Sequence, residues 1–156
     1  MTIYGLDPGT THSALICLVG DQAGGGIYKN SDLLSRLMAD RSMDMLVIEQ
    51  IEAMGMAVGA ETFETVFWSG RFAQAWEPRQ WARITRRAVK LYLCGSMRAK
   101  DANIRQALID KWGGIAATKK GGALYGIKSH LWAALAVAVT YRDQHPEALR
   151  AIGAIR

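Results

Sequence analysis

Most of the fourteen Asp and Glu residues lie in polar or turn-like surroundings, but Asp7 and Glu49 each end an apolar segment. Asp7 follows Thr2-Ile3-Tyr4-Gly5-Leu6, and Glu49 follows Met45-Leu46-Val47-Ile48. A carboxylate at the rim of a core is costly to desolvate without a counter-charge, and a divalent cation supplies one. If the two segments are neighbouring strands, both acids emerge at one sheet edge, and carboxylates about 4–6 Å apart repel each other unless a cation lies between them. Mg²⁺ takes few protein ligands and keeps waters, which leaves room for a phosphate. A plainer reading stands beside this for each acid. Asp7 could cap the turn Pro8-Gly9-Thr10-Thr11 through its backbone N–H groups, and Glu49 could pair with an arginine.

The elements that must position these groups follow from the residue pattern. Residues 2–7 and 12–19 read as antiparallel strands. A Gly-rich turn over 20–26 leads to a short third strand at 27–29. Ser31 is placed to cap a helix over 32–40, with Leu33, Leu34, Leu37 and Met38 on one face. Residues 44–50 carry the Leu-Val-Ile run of a central parallel strand. A long helix over 57–76 is weakened by Gly70 and stopped by Pro78. A strand over 80–85, a helix over 86–94 ending at Gly95 and a helix over 100–112 come next. Residues 114–127 form a loop carrying Lys119 and Lys120, and the last helix spans 129–142. The pattern is a mixed sheet flanked by helices, an α/β arrangement. It predicts a single domain over residues 1–143, with 144–156 as a loose C-terminal tail.

Composition narrows the class. At 156 residues, 50% hydrophobic and 21% charged, the chain is too ordinary in composition for extensive disorder. It is also too short for a (β/α)8 barrel of roughly 250 residues. The net charge of +5 is unevenly spread: residues 1–78 carry −6 and residues 79–128 carry +10. A basic stretch beside an acidic half suggests a polyanion partner, nucleic acid first; the other reading is an uneven solvated surface. Arg86, Arg87, Lys119, Lys120 and Lys128 each read as a solvated charge or a phosphate contact. Trp68, Trp76, Trp81 and Trp112 fit a core or a subunit contact better than a base-stacking platform. Cys17 and Cys94 lie in apolar runs with no CxxC, which suits buried free thiols in a reducing, cytoplasmic setting. No secretory signal is visible, and no apolar run reaches about 18 residues, so no membrane partner is expected.

Three segments together resemble the RuvC-type Holliday junction resolvases of the RNase H/integrase-like nuclease superfamily. They are Gly5-Leu6-Asp7-Pro8-Gly9-Thr10-Thr11, Val47-Ile48-Glu49-Gln50, and His130 through Ala138. The last is similar to the family's C-terminal active-site helix. A weaker fourth match is Arg87-Ala88-Val89-Lys90, then Gly95 and Lys100. The resemblance implies an RNase H-like fold with a mixed five-stranded sheet. It also implies a homodimer through helix 57–76, and Mg²⁺-dependent (or Mn²⁺-dependent) paired nicking of four-way DNA junctions. Asp7 and Glu49 match the family's first two metal-binding acids, and His130 matches the third position, Asp or His in the family. Lys90 and Lys100 match basic positions that hold DNA near the metals. Read without the resemblance, His130 is a capping or surface histidine following Ser129, itself a natural cap.

Two departures from the family pattern bear on function. The family's last acid, three residues after the third position, is Ala133 here. Glu52 is the nearby acid available to replace it, because Asp143 lies about 20 Å along the helix from His130 at 1.5 Å per residue. The aromatic residue that wedges the junction, three after the Glu, is Glu52 here, with Met54 or Met56 as substitutes. A second class of function therefore stands beside the nuclease: a branched-DNA-binding protein with weakened or lost catalysis. Asp7-Pro8-Gly9-Thr10-Thr11 is also similar to the first phosphate loop of the actin and heat-shock ATPases, whose fold needs two such lobes and a longer chain.

Overall fold

The computed structural model describes residues 1–41 and 44–146. Its strands are β1 (Thr2–Asp7), β2 (His12–Val19), β3 (Gln22–Lys29), β4 (Met45–Gln50) and β5 (Trp81–Thr85). They form one five-stranded sheet in the order β3-β2-β1-β4-β5. The β1–β2 and β2–β3 pairs are antiparallel, and β1–β4 and β4–β5 are parallel. The helices are α1 (Asn30–Ala39), α2 (Ala60–Trp76), α3 (Arg86–Cys94), α4 (Asp101–Lys111) and α5 (Leu131–Gln144). A short 3-10 turn at Ile115–Thr118 lies in the loop before α5.

Side-chain alternation sorts the strands between two cores. Leu6, Leu46 and Ile48 pack with Leu33, Leu37, Phe72 and Trp76 of α1 and α2 on one face. Ile3, Met45 and Val47 pack on the other face against α5, with Val89 of α3 and Ile104 and Leu108 of α4. Helix α5 is covered on one side by the sheet and on the other by α3 and α4. That is why it is apolar all round, and every residue from Leu131 to Tyr141 is buried except Ala133.

Several boundaries differ from the sequence reading. The third strand begins at Gln22 rather than residue 27, because Gly20-Asp21 closes a tight turn and the glycines continue the ladder with β2. At Gly25 a Cβ would fall 2.0 Å from the Leu15 carbonyl oxygen, so this stretch pairs closely because it lacks side chains. Ser31 does not cap α1. The helix starts earlier, at Asn30, whose backbone N–H donates to Thr11 O at 2.8 Å. Helix α2 starts at Ala60, after an extended Gly59. Ser129 has a positive φ of 49° and makes no cap, so His130 itself occupies the N-cap position of α5. Helix α5 runs on to Gln144, one residue into the segment expected as a tail, and residues 147–156 of that segment lie outside the described ones. Cys17 and Cys94 are free but partly exposed rather than buried. Trp76 is fully buried, and Trp68, Trp81 and Trp112 pack against the two cores, in keeping with the core side of the core-or-subunit-contact expectation.

Candidate active site

Strand register brings the two acids together. The parallel pairing Ile3↔Met45 through Leu6↔Ile48 continues to Asp7 beside Glu49. With a period of two, Ile3, Gly5 and Asp7 share a face with Met45, Val47 and Glu49, and that face is covered by α5. Gly5 sets how closely α5 can lie. A Cβ there would stand 2.1 Å from the Ala134 carbonyl oxygen and 2.9 Å from Ala138 Cβ. With glycine in the strand and alanines in the helix, the start of α5 reaches the end of β1. There His130 Nδ1 lies 3.0 Å from Asp7 Oδ2.

Asp7 does not hold the following turn. Gly9 N–H donates to Ser13 Oγ at 3.0 Å, Ser13 Oγ donates to Asn30 Oδ1 at 2.7 Å, and Asn30 Nδ2 donates to Gly9 O at 2.9 Å. These buried polar groups satisfy the turn and leave Asp7 facing His130. Glu49, by contrast, does pair with an arginine. Arg86 Nη1 donates to its two oxygens at 3.1 and 3.3 Å, while Arg86 Nη2 donates to Asp101 Oδ1.

The carboxylates are electrostatically strained. Burial, then the charge of Asp7, push Glu49 up to about 7, against the pull of Arg86. Burial also raises Asp7 above the usual carboxylate range, against the pull of His130. Burial opposes the charge on Arg86, but Glu49 and Asp101 outweigh it and hold the guanidinium protonated. Among the described residues no three Asp, Glu, His or Cys groups stand close enough to hold a metal ion as they are placed. The donor set nevertheless suits a hard divalent cation: two buried carboxylates side by side, an imidazole, and a counter-charge demand that one arginine does not fully meet.

Two clefts open from this point. One, of about 570 Å³, is bordered by Asp7, Glu49, Arg86, Asp101, His130 and Ala133. The other, of about 500 Å³, runs from Asp7 and His130 along the Pro8–His12 turn to Glu61, Thr62 and Thr65 of α2. A smaller recess beside Glu49 is lined by Glu52, Met54, Arg87 and Lys90. Arg87 and Lys90 thus stand next to the acids, and Lys100 is exposed immediately before Asp101. Lys128 borders a groove with Asp101 and Trp132. Lys119 and Lys120 are exposed on the preceding loop and border neither cleft that Asp7 opens onto. Arg86 differs from the other basic residues because its guanidinium is engaged by two carboxylates. Glu52 does not border the Ala133 cleft; besides Asp7 and Glu49, the acid that does is Asp101. Sequence reasoning passed over Asp101 because it starts a helix far along the chain, and only the packing of α4 beside α5 brings it here. Asp143 is remote, held by Lys111 and Arg142 at 2.9 and 2.8 Å.

No protein-family model matches the sequence, and no curated protein matches it significantly. Solved structures do. A Thermus thermophilus RuvC structure aligns with a TM-score of 0.64 at 20% identity, over 90% of this chain and 93% of that one. The fold is that of RuvC. T. thermophilus RuvC in complex with Holliday junction substrate aligns with a TM-score of 0.60 at 19% identity, over 90% of this chain and 92% of that one. The RuvC-like sheet, in order 3-2-1-4-5 with helices on both faces, is the RNase H-like α/β architecture. The likeness covers 90% of this chain in both comparisons.

Proposed function

We propose that this chain is a structure-selective endodeoxyribonuclease that resolves four-way (Holliday) DNA junctions by metal-dependent, paired phosphodiester hydrolysis. The observation that carries this reading is the convergence of Asp7, Glu49 and His130 at one sheet edge of a RuvC fold. The RuvC structure with a Holliday junction substrate supports the choice of DNA. Asp7 and Glu49 would hold Mg²⁺ or Mn²⁺, with His130 completing the set. When bound, such an ion supplies charge neutralisation at the scissile phosphate and a more acidic water. If it is not a ligand, His130, with 74% of its side chain exposed, would instead position the attacking water as a general base. Lys90 and Arg87 offer positive charge beside Glu49, Lys128 borders the neighbouring groove, and the exposed Lys100 precedes Asp101, all available to a DNA backbone.

Paired cutting requires two such sites. The outward face of α2 exposes Phe63, Val66 and Phe67, an apolar surface suited to a second copy of the chain. A two-fold dimer through α2 would address two symmetry-related strands. The exposed Met54 and Met56 occupy the turn after β4 and would reach the junction centre.

A second reading, a junction-binding protein with weakened catalysis, is favoured by Ala133 lining the cleft where the family has an acid. One experiment separates the two. A synthetic four-way junction is incubated with the protein in Mg²⁺ or Mn²⁺, beside Asp7→Asn and Ala133→Asp. The nuclease reading expects symmetric nicks that fall by roughly 100-fold or more in Asp7→Asn. Tight binding with nicks only in Ala133→Asp would establish the second reading, and neither binding nor nicking would refute both.

A further inference from the structure

Arg86 stands where the proposed cation must act, and its position is fixed by the fold. Strand β5 pairs with β4 through Glu49↔Ile84 and Gln50↔Thr85. Thr85 then caps α3, its side chain accepting from Ala88 N–H at 3.1 Å, so Arg86 begins the helix directly beside Glu49. One end of its guanidinium spans both Glu49 oxygens, and the other end meets Asp101. The two carboxylates differ sharply: Glu49 has 6% of its side chain exposed, and Asp101 has 82%. A planar fork can hold both at once, which a lysine ammonium cannot reproduce in the same geometry.

Resting on the metal-centre reading above, we infer that Arg86 is a built-in counter-cation that occupies Glu49 until a divalent ion takes it, and that Asp101 retains the displaced guanidinium. Glu49 cannot offer both oxygens to Arg86 and serve an ion fully, so the two cations compete for one buried carboxylate. Asp101 lies at the solvent end of the same fork. It gives Arg86 a partner that survives the exchange, so the arginine need not be left unpaired beside a metal. Asp101 is therefore a positioning residue acting through Arg86.

The test is Mn²⁺ binding, by calorimetry without DNA, to the full chain and to Arg86→Gln, Asp101→Asn and the double variant. Circular dichroism verifies folding, and Arg86→Lys serves as a milder second variant. Arg86→Gln is expected to bind Mn²⁺ about tenfold more tightly, a change of about 1.4 kcal/mol, with Arg86→Lys in between. Asp101→Asn is expected to bind several-fold more weakly, and to have no effect once Arg86 is Gln. If Mn²⁺ binds the unaltered chain but Arg86→Gln and Arg86→Lys fail to tighten it, the competition is refuted while the metal centre stands. If Asp101→Asn weakens binding equally in the Arg86→Gln background, Asp101 is itself a ligand and its retaining role is refuted. Absence of Mn²⁺ binding at millimolar concentration in every form would overturn both the inference and the metal-centre reading.

Discussion

Glu49 is where the cost of this site is concentrated. It is buried, it neighbours Asp7, and its pKa stands near 7 against an ordinary 4.5. An acid raised by folding favours the native state below its unfolded pKa, and that contribution is lost as pH rises through the folded value. The metal-free protein is therefore expected to lose thermal stability between pH 5 and pH 8. One pKa unit is about 1.4 kcal/mol, and each kcal/mol moves the midpoint of a chain this size by about 2–4 °C. Calorimetry in a chelator should show a fall of several degrees, and Glu49→Gln should flatten it. An identical fall in the variant would assign the pH dependence to other groups. The acids were legible as candidates because each ends an apolar strand. Their electrostatic state was not, since it depends first on how deeply each is buried, then on Asp7 for Glu49 and on His130 for Asp7, with Arg86, 37 residues beyond Glu49 in the chain, pulling the other way.

At the scale of elements, the site depends on how closely α5 lies on β1. Gly5 leaves no room for even a methyl group, with Ala134 and Ala138 filling the opposite side. Gly5→Ala should push the helix away from the sheet and part His130 from Asp7. Overpacking of this kind costs about 1–3 kcal/mol. The expected result is a lower denaturation midpoint together with a loss of junction nicking larger than the stability change explains. Full activity in Gly5→Ala would show that the close crossing is dispensable. The sequence pointed to α5 through its continuous apolar run at residues 131–139 and the likeness of that run to the family's last helix, since a helix apolar all round has no 3.6-residue stripe to read. It did not show β3 as a full strand, because glycines lack the side-chain signal of a strand while their backbones still pair. Nor could it show that Asn30 and Ser13 would secure the turn after Asp7, leaving the acid available to His130.

For the whole molecule, two outward surfaces carry the remaining predictions. None of the helices among the described residues is long and apolar enough to cross a membrane. Phe67 is 59% exposed beside Phe63 and Val66. Sedimentation should find a dimer for the unaltered chain and a monomer for Phe67→Glu, with paired nicking reduced to isolated nicks; an unchanged mass would place the dimer contact elsewhere. The basic surface predicts junction binding that weakens steeply with salt. By itself, the sequence determined most of the strands and helices, the apolar faces and the two acids at strand ends, because residue pattern and the cost of a charge at a core's rim are local properties. It also carried the motif order through which the RuvC resemblance was visible. The tertiary structure alone decided which residues meet. Parallel register set Asp7 beside Glu49, a missing Cβ at Gly5 brought His130 to them, and the packing of α3 and α4 delivered Arg86 and Asp101. Those meetings depend on crossing distance and burial, which no spacing along the chain encodes.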